Sequence, residues 1–262
     1  MLEEILKKLD YRKVEKRIAS FIKAKVREAG SFGVVLGLSG GLDSSVTAYL
    51  CRKALGSKKV LGLIMPDKET TPEEDIQDAL LLVKELGIGH KLIEITPICK
   101  DFSKIPGFKE DRIAVGNLKP RTRMTLLYYF ANLEKKLVVG TGDRSEYLLG
   151  YFTKYGDGGV DFLPLAGLYK TQVRELAKHI GIPEKIWKKP SSPRLWKGHE
   201  AKEELGLSYE EIDPILYCTF DKKLSKEQTI EKLGIEGWKV ERVLAMHKQS
   251  MHKRKPPEIC TI

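Results

Sequence analysis

The sequence predicts an α/β fold, a Rossmann-like doubly wound parallel sheet flanked by helices, with helical N- and C-terminal segments. Two observations carry the prediction. Apolar runs at 32–38, 60–65, 91–95 and 137–140 are each too short for a helix, and stretches of helical periodicity separate them, as crossovers between parallel strands require. On either side of this alternation the apolar spacing is helical.

From the N-terminus, residues 3–28 place Ile5, Leu6, Leu9, Val14, Ile18, Phe21, Ile22 and Val26 at spacings near three and four, and Gly30 supplies a stop. This predicts an amphipathic helix or helix pair. A buried strand ending at Leu38 follows, then a helix over 44–55 that stops at Gly56, then a strand over 60–65. Thr71, Pro72, Glu73 and Glu74 read as a capped helix start with proline in the first position, and that helix ends at Gly87. A strand over 91–95, a helix over 121–135 and a strand over 137–140 complete the alternation. Residues 147–167 are rich in glycine, tyrosine and turn formers, which predicts a long functional loop. Further helices are predicted over 169–180, after Ser208 with Glu211, and after Ser225 with Gln228. With no repeats or low-complexity linker, residues 1–262 read as a single domain. Ligands of such sheets bind beyond the carboxyl ends of the strands, so the turns after Leu38, Met65 and Gly140 should share one crevice.

Composition narrows the class. Hydrophobic residues at 42% and charged residues at 31% are ordinary for a globular protein, and no apolar run approaches the roughly 18 to 20 residues that cross a bilayer. The N-terminus shows no apolar stretch with a cleavage site, which predicts a cytoplasmic protein. Cys51, Cys99, Cys218 and Cys260 lie far apart, without the paired spacing of zinc or redox sites. A formal charge of +10 favours a polyanionic partner, a requirement that nucleotides and RNA meet equally well.

The chemistry is concentrated in Leu38-Ser39-Gly40-Gly41-Leu42-Asp43-Ser44-Ser45, between a strand and a helix. Two glycines allow the backbone to approach an anion, and the helix N-terminus adds free N–H groups and positive dipole. No Gly-Lys dipeptide occurs in the chain, so this is not a Walker A loop, and no Gly-x-Gly is followed by the third glycine of a dinucleotide fingerprint. Gly37-Leu38-Ser39-Gly40-Gly41 also fits a nucleophile elbow with Ser39 as nucleophile, but there is no upstream His-Gly-Gly segment and Asp43 would be left unexplained.

The run Ser39 to Ser44 resembles the pyrophosphate loop of N-type ATP pyrophosphatases of the adenine nucleotide alpha hydrolase-like family. Further segments match in order: 117–124 (Asn-Leu-Lys-Pro-Arg-Thr-Arg-Met), 140–146 (Gly-Thr-Gly-Asp-Arg-Ser-Glu), 151–158, 168–174, 190–192 and 250–254. Over roughly residues 20–257 the chain resembles the ammonia-dependent NAD synthetase family.

That resemblance implies a ligase that converts deamido-NAD to NAD with ATP and ammonia through an adenylated intermediate, releasing AMP and pyrophosphate, with Mg²⁺ as cofactor. It implies catalytic roles for Asp43, Glu146 and Lys170, with Asp43 and Glu146 as metal ligands. ATP would be held by Gly37, Leu38, Ser39, Gly40, Gly41, Leu42, Asp43 and Ser44, with Thr141, Lys170 and Ser192. Deamido-NAD would be held by Arg121, Lys154, Asp161, His252 and Lys253. A homodimer is implied, and the glutaminase domain that many members carry is missing from the 262 residues, so nitrogen would come from free ammonia or a separate donor.

The chain departs from the family pattern at Asp143, where Asn is usual, at Ala201, where an acidic residue is common, and at Pro193. Trp187, Trp196, Tyr128 and Tyr129 read as core residues, and His252 with Lys253 would by composition alone read as a solvated basic tail. Two other classes compete: an RNA-modifying ATP pyrophosphatase that adenylates a tRNA base, which the positive charge suits but the unpaired cysteines do not, and a non-catalytic adenine-nucleotide sensor, which Asp43 and Glu146 argue against.

Overall fold

In the computed structural model, which describes residues 9–261, the four apolar runs form one parallel sheet. Its strands are β1 (Val34–Gly37), β2 (Val60–Ile64), β3 (Gly89–Leu92) and β4 (Leu137–Val139), in the order β3-β2-β1-β4. Val34 pairs with Val60 on one side and Leu137 on the other. The chain therefore steps outward from β1 in one direction and returns to its other side with β4. That reversal opens a crevice at the carboxyl ends of β1 and β4.

Each face of the sheet is covered because each face is apolar. On one side α1 (Tyr11–Glu28), α2 (Leu42–Leu55) and α3 (Glu73–Leu86) bring Ile22, Val46, Leu50 and Leu82 against Leu36 and Ile64. On the other, α4 (Thr96–Asp101) and α5 (Arg112–Glu134) bring Cys99, Leu127 and Ala131 onto Val35, Leu63 and Val138. Burying each large aliphatic side chain of this kind contributes about 1.5–3 kcal/mol. After β4 come α6 (Arg144–Leu149) and α7 (Lys170–His179), the latter returning Val173 and Leu176 to the first face. The remainder is helical: α8 (Glu184–Trp187), α9 (Ala201–Leu205), α10 (Tyr209–Leu216), α11 (Lys226–Leu233) and α12 (Gly237–Gln249). Leu205, Ile212, Ile215, Val240 and Val243 form a second core there, joined by Leu149 of α6. Among the described residues no helix is long and apolar enough to cross a membrane.

The predicted strand and helix order is present, with shifts that have physical causes. Ile5 and Leu6 of the predicted N-terminal helix lie outside the described residues; α1 begins after Asp10, whose side chain accepts from the Lys13 N–H. α3 begins at Glu73 with Pro72 as its N-cap, because the Thr71 hydroxyl is taken by the Asp67 N–H. The third strand ends at Leu92, although Ile93 and Ile95 still donate to Ile64 and Pro66. α5 starts nine residues before the predicted Arg121 and runs through Pro120. Asp111 caps it by accepting from Ile113 and Ala114 N–H groups, and the start before proline was masked because proline usually ends a helix. In the predicted loop 147–167, Phe162 bridges Val139 and extends the sheet at the β4 edge. The capping boxes of Ser208 with Glu211 and Ser225 with Gln228 are both formed.

Candidate active site

The turn from β1 into α2 is shaped by its glycines. Gly40 has φ of 73°, and a Cβ there would lie 2.0 Å from the Asp75 carbonyl oxygen, so only glycine fits. Ser39 and Ser44 fold the loop on itself: the Ser39 N–H donates to Ser44 Oγ at 3.2 Å, and the two hydroxyls lie 3.1 Å apart. Gly41 is the N-cap of α2 and has no side-chain cap, leaving the first turn open to an anion.

Beneath this turn lies a compact group of charges. Lys170, the first residue of α7, is fully buried, and its Nζ contacts Asp43 Oδ2 at 2.7 Å, Glu146 Oε1 at 2.8 Å and Asp143 Oδ2 at 2.9 Å. Asp43 comes from the first turn of α2, and Asp143 and Glu146 form the capping box of α6. Burial, then repulsion from Asp143, pushes the Glu146 carboxyl up to about 8. Asp143 rises to about 6 through burial and the nearby Asp43, against the pull of Lys170. Burial disfavours the Lys170 ammonium, but Asp143, Asp43 and Glu146 outweigh it and hold its pKa well above the ordinary value. A further buried carboxylate braces the group from α10: Asp213 accepts from the Ser145 hydroxyl at 2.6 Å and the Thr171 N–H at 2.9 Å.

Two connected cavities of about 400 and 380 Å³ occupy the crevice and share Ser39, Ser44, Thr141, Ser192 and Lys253. The larger is apolar at one end, where Leu63, Met65 and Leu127 line it with Gly37 and Leu38. The smaller is the more polar of the two and contains Gly41, Leu42, Asp43 and Glu146. Thus Gly37, Leu38, Ser39, Gly41, Leu42, Asp43, Ser44, Thr141 and Ser192 all face the crevice, Gly40 shapes its loop, and Lys170 sits below the floor. The Ser192 hydroxyl donates to the His199 carbonyl and accepts from the Arg194 N–H at 3.2 Å, so it is already engaged within its own turn.

The residues expected to contact deamido-NAD are less concentrated. Lys253 lines both cavities, its Nζ donating to the Gly150 and Phe152 carbonyls at 2.8 Å each. Arg121 and Lys154 are joined by an Arg121 Nε to Lys154 carbonyl contact of 3.4 Å and lie outside both cavities, as does the exposed His252. Asp161 sits at the β4 edge, accepting from the Val138 N–H at 2.7 Å and the Tyr128 hydroxyl at 3.0 Å.

Several lining residues were not anticipated. Lys189 and Asp75 form an ion pair of 2.7 Å beside the glycine loop; the adjoining Pro190-Ser191-Ser192 segment was the available signal. Trp196, read as core, lines the larger cavity and stacks on His199 at 3.6 Å between ring centroids. Tyr209 lines the smaller cavity with a buried hydroxyl that has no hydrogen-bond partner, and no local sequence pattern announces it.

The donor set suits a hard divalent cation. Asp43 Oδ1 is buried without a hydrogen-bond partner, and the Asp43 and Glu146 side chains, at 23% and 21% exposure, line the smaller cavity. Among the described residues no three His, Cys, Asp or Glu side chains enclose a metal by themselves. The protein would thus supply part of a coordination sphere that phosphate oxygens and water complete, the usual situation for Mg²⁺ on a nucleotide.

A family model described as NAD synthase matches residues 14–257. The NH(3)-dependent NAD(+) synthetase of Hyperthermus butylicus is 56% identical over 256 residues, covering 98% of this chain and 92% of that protein. Among solved structures, NMN synthetase from Francisella tularensis superposes with a TM-score of 0.86 at 33% identity, over 97% of this chain and 100% of that one. The NH3-dependent NAD synthetase from Campylobacter jejuni, in complex with nitrate, gives 0.82 at 33% identity, over 97% and 100%.

Proposed function

The chain belongs to the NAD synthase family, and we propose that it runs the family reaction by adenylating a nicotinate carboxylate in the crevice between β1 and β4. It is a ligase that amidates deamido-NAD to NAD with ATP and ammonia. This membership sets aside the tRNA-modifying alternative.

The observation that carries the mechanistic reading is the convergence of Asp43, Glu146 and Lys170 below the glycine loop. A carboxylate is a poor acyl donor, so the reaction needs a leaving group. The nicotinate oxygen attacks the α-phosphorus of ATP, the bond to the β-phosphate breaks, and pyrophosphate departs. Ammonia then attacks the acyl carbon, AMP leaves with the bonding electrons, and a proton is lost from nitrogen to give the amide. The protein's tasks are alignment and charge neutralisation.

In our assignment Ser39, Gly40, Gly41, Leu42 and Ser44 cradle the departing phosphates through loop and helix N–H groups, and Gly37, Leu38, Thr141 and Ser192 hold the rest of ATP. Asp43 and Glu146 would hold Mg²⁺, which when bound supplies charge neutralisation at the phosphates. Lys170 fixes those two carboxylates and adds a positive charge beneath them. Arg121, Lys154, Asp161, His252 and Lys253 would hold deamido-NAD. The position of Arg121, Lys154 and His252 outside the crevice of one chain supports a homodimer in which a second copy closes over the dinucleotide. We read residues 1–262 as one synthetase domain, acting in the cytoplasm on ammonia that is free or passed from a separate donor.

Incubation of the purified protein with Mg-ATP, deamido-NAD and ammonium should yield NAD, AMP and pyrophosphate in equal amounts. Nicotinate mononucleotide offered in parallel tests how much of the dinucleotide is required. ATP cleavage without an amide product would overturn the acceptor assignment.

A further inference from the structure

Asp143 carries none of the roles assigned above, yet its carboxylate is fully buried within the site. Its side chain is 0% exposed, like that of Lys170, and it lines neither cavity. Whatever it does, it does through neighbours. One oxygen, Oδ1, accepts from the Glu146 N–H at 2.8 Å, and the Asp143 N–H returns to Glu146 Oε2 at 3.2 Å, so Asp143 sets where Glu146 stands. The other, Oδ2, lies 2.9 Å from Lys170 Nζ, an ion pair between two fully buried side chains.

Capping alone does not require a carboxylate, since any side-chain oxygen can accept from an N–H at the third helical position. The charge is therefore the feature to explain. Asp43, Asp143 and Glu146 surround a single ammonium at 2.7–2.9 Å, which leaves an excess of two negative charges once all three are ionised, the state that a divalent cation favours by displacing a proton. Without Asp143 the same ammonium would cancel half the charge of the two carboxylates that face the cavity. With it, the excess at that face matches a divalent ion.

We propose that Asp143 is a positioning residue that holds Glu146 through the capping box and faces the Lys170 ammonium from below, adding the negative charge that lets the group bind a divalent cation. The proposal rests on the reading that those two carboxylates hold the metal.

The test uses the full chain and Mn²⁺ as the probe. Asp143→Asn keeps the cap acceptor and removes the charge, and Asp143→Ser, a neutral residue favoured at N-caps, gives the same readout should the first variant fold poorly. Mn²⁺ binding is measured by calorimetry and spin resonance, with and without α,β-methylene-ATP, for wild type, the Asp143 variant and Glu146→Gln, and thermal melting without metal checks the fold. The three carboxylate oxygens lie no more than about 6 Å apart. One unit charge acting on a divalent ion from somewhat beyond that distance predicts about a five- to tenfold loss of Mn²⁺ affinity with water-like screening. In turnover the Mg²⁺ concentration for half-maximal rate should rise by a similar factor, with a smaller change in kcat at saturating Mg²⁺. A merely structural role would lower melting and kcat together and leave the metal requirement in place. Equal Mn²⁺ affinity in wild type and the Asp143 variant, with binding lost in Glu146→Gln, would overturn the proposal and leave the metal site standing. Failure of wild type to bind Mn²⁺ both alone and with α,β-methylene-ATP would remove both.

Discussion

Asp213 Oδ2 accepts two hydrogen bonds from one residue, the backbone N–H and the hydroxyl of Thr171, at 2.9 and 2.5 Å. Its Oδ1 accepts the Ser145 hydroxyl. Ser145 precedes Glu146 and Thr171 follows Lys170, so this one carboxylate ties the starts of α6 and α7 together under the active site. Asp213→Ala leaves three buried donors without their acceptor, at about 1–3 kcal/mol for each unsatisfied group before relaxation. A total loss of about 3–5 kcal/mol is expected, measured by urea unfolding. A variant as stable as wild type would show that the bracing is energetically idle.

Asp43→Asn and Glu146→Gln should each abolish pyrophosphate release while the protein stays folded. Both side chains stand at the cavity, and each substitution keeps shape while removing a charged oxygen ligand. Melting temperatures at or above wild type are expected without metal, because each change relieves repulsion among carboxylates that share one ammonium. Substantial activity in either variant would remove that residue from the metal assignment.

The repulsion also fixes a pH dependence. Glu146 has an ordinary pKa of 4.5 when unfolded, and burial with the charge of Asp143 pushes it up to about 8 in the native state. Between those values the native state binds the extra proton, so stability falls as pH rises across the window. Asp143 acts with the same sign from 3.8 to about 6. Metal-free wild type should therefore lose more melting temperature than Glu146→Gln between about pH 5 and about pH 8. Parallel profiles for the two proteins would contradict the shift.

How much of this was legible in the sequence depended on range. Asp43 belongs to a local pattern of strand end, paired glycines and helix start, and Glu146 follows the fourth strand in the same way, so topology alone brought them to one crevice. The buried state of Lys170 was not legible, because its partners lie 127 residues away at Asp43 and 24 away at Glu146. Asp143 was legible only as a departure from the usual Asn, because its second oxygen meets an ammonium from a distant helix. The first turns of α5 were hidden by Pro120, and the cap that starts them, Asp111, lies outside the usual spacing from a proline. Tyr209 reaches the cavity only because α10 packs against α6 and α7.

Gly40→Ala tests the loop itself. At φ of 73° a side chain costs about 1 kcal/mol or more, and the new Cβ would meet the Asp75 backbone at 2.0 Å, where neither partner can rotate away. The loop must shift, and ATP-dependent pyrophosphate release should fall by about 100-fold or more, as misplacement of aligned groups predicts. Gly30→Ala, also at positive φ but with nothing within 4 Å, controls for the backbone cost and should leave the rate unchanged.

Lys253 offers the sharpest test of the dinucleotide assignment, because it alone of the five expected residues lines both cavities. Burial holds its pKa below the ordinary lysine value, against the pull of Asp157 and Glu204. Its ammonium rests on the Gly150 and Phe152 carbonyls, neutral acceptors that leave its charge available to a phosphate. Lys253→Met keeps much of the packing of the stem and removes the charge. If the charge serves deamido-NAD, KM for that substrate should rise about tenfold or more, the size of a lost charge-assisted contact of about 1.5–3 kcal/mol, with KM for ATP nearly unchanged. If it serves the phosphates of ATP, the two effects exchange places. If it only fastens the turn, the melting temperature falls and both KM values stay as they were, and Lys253 leaves the substrate set.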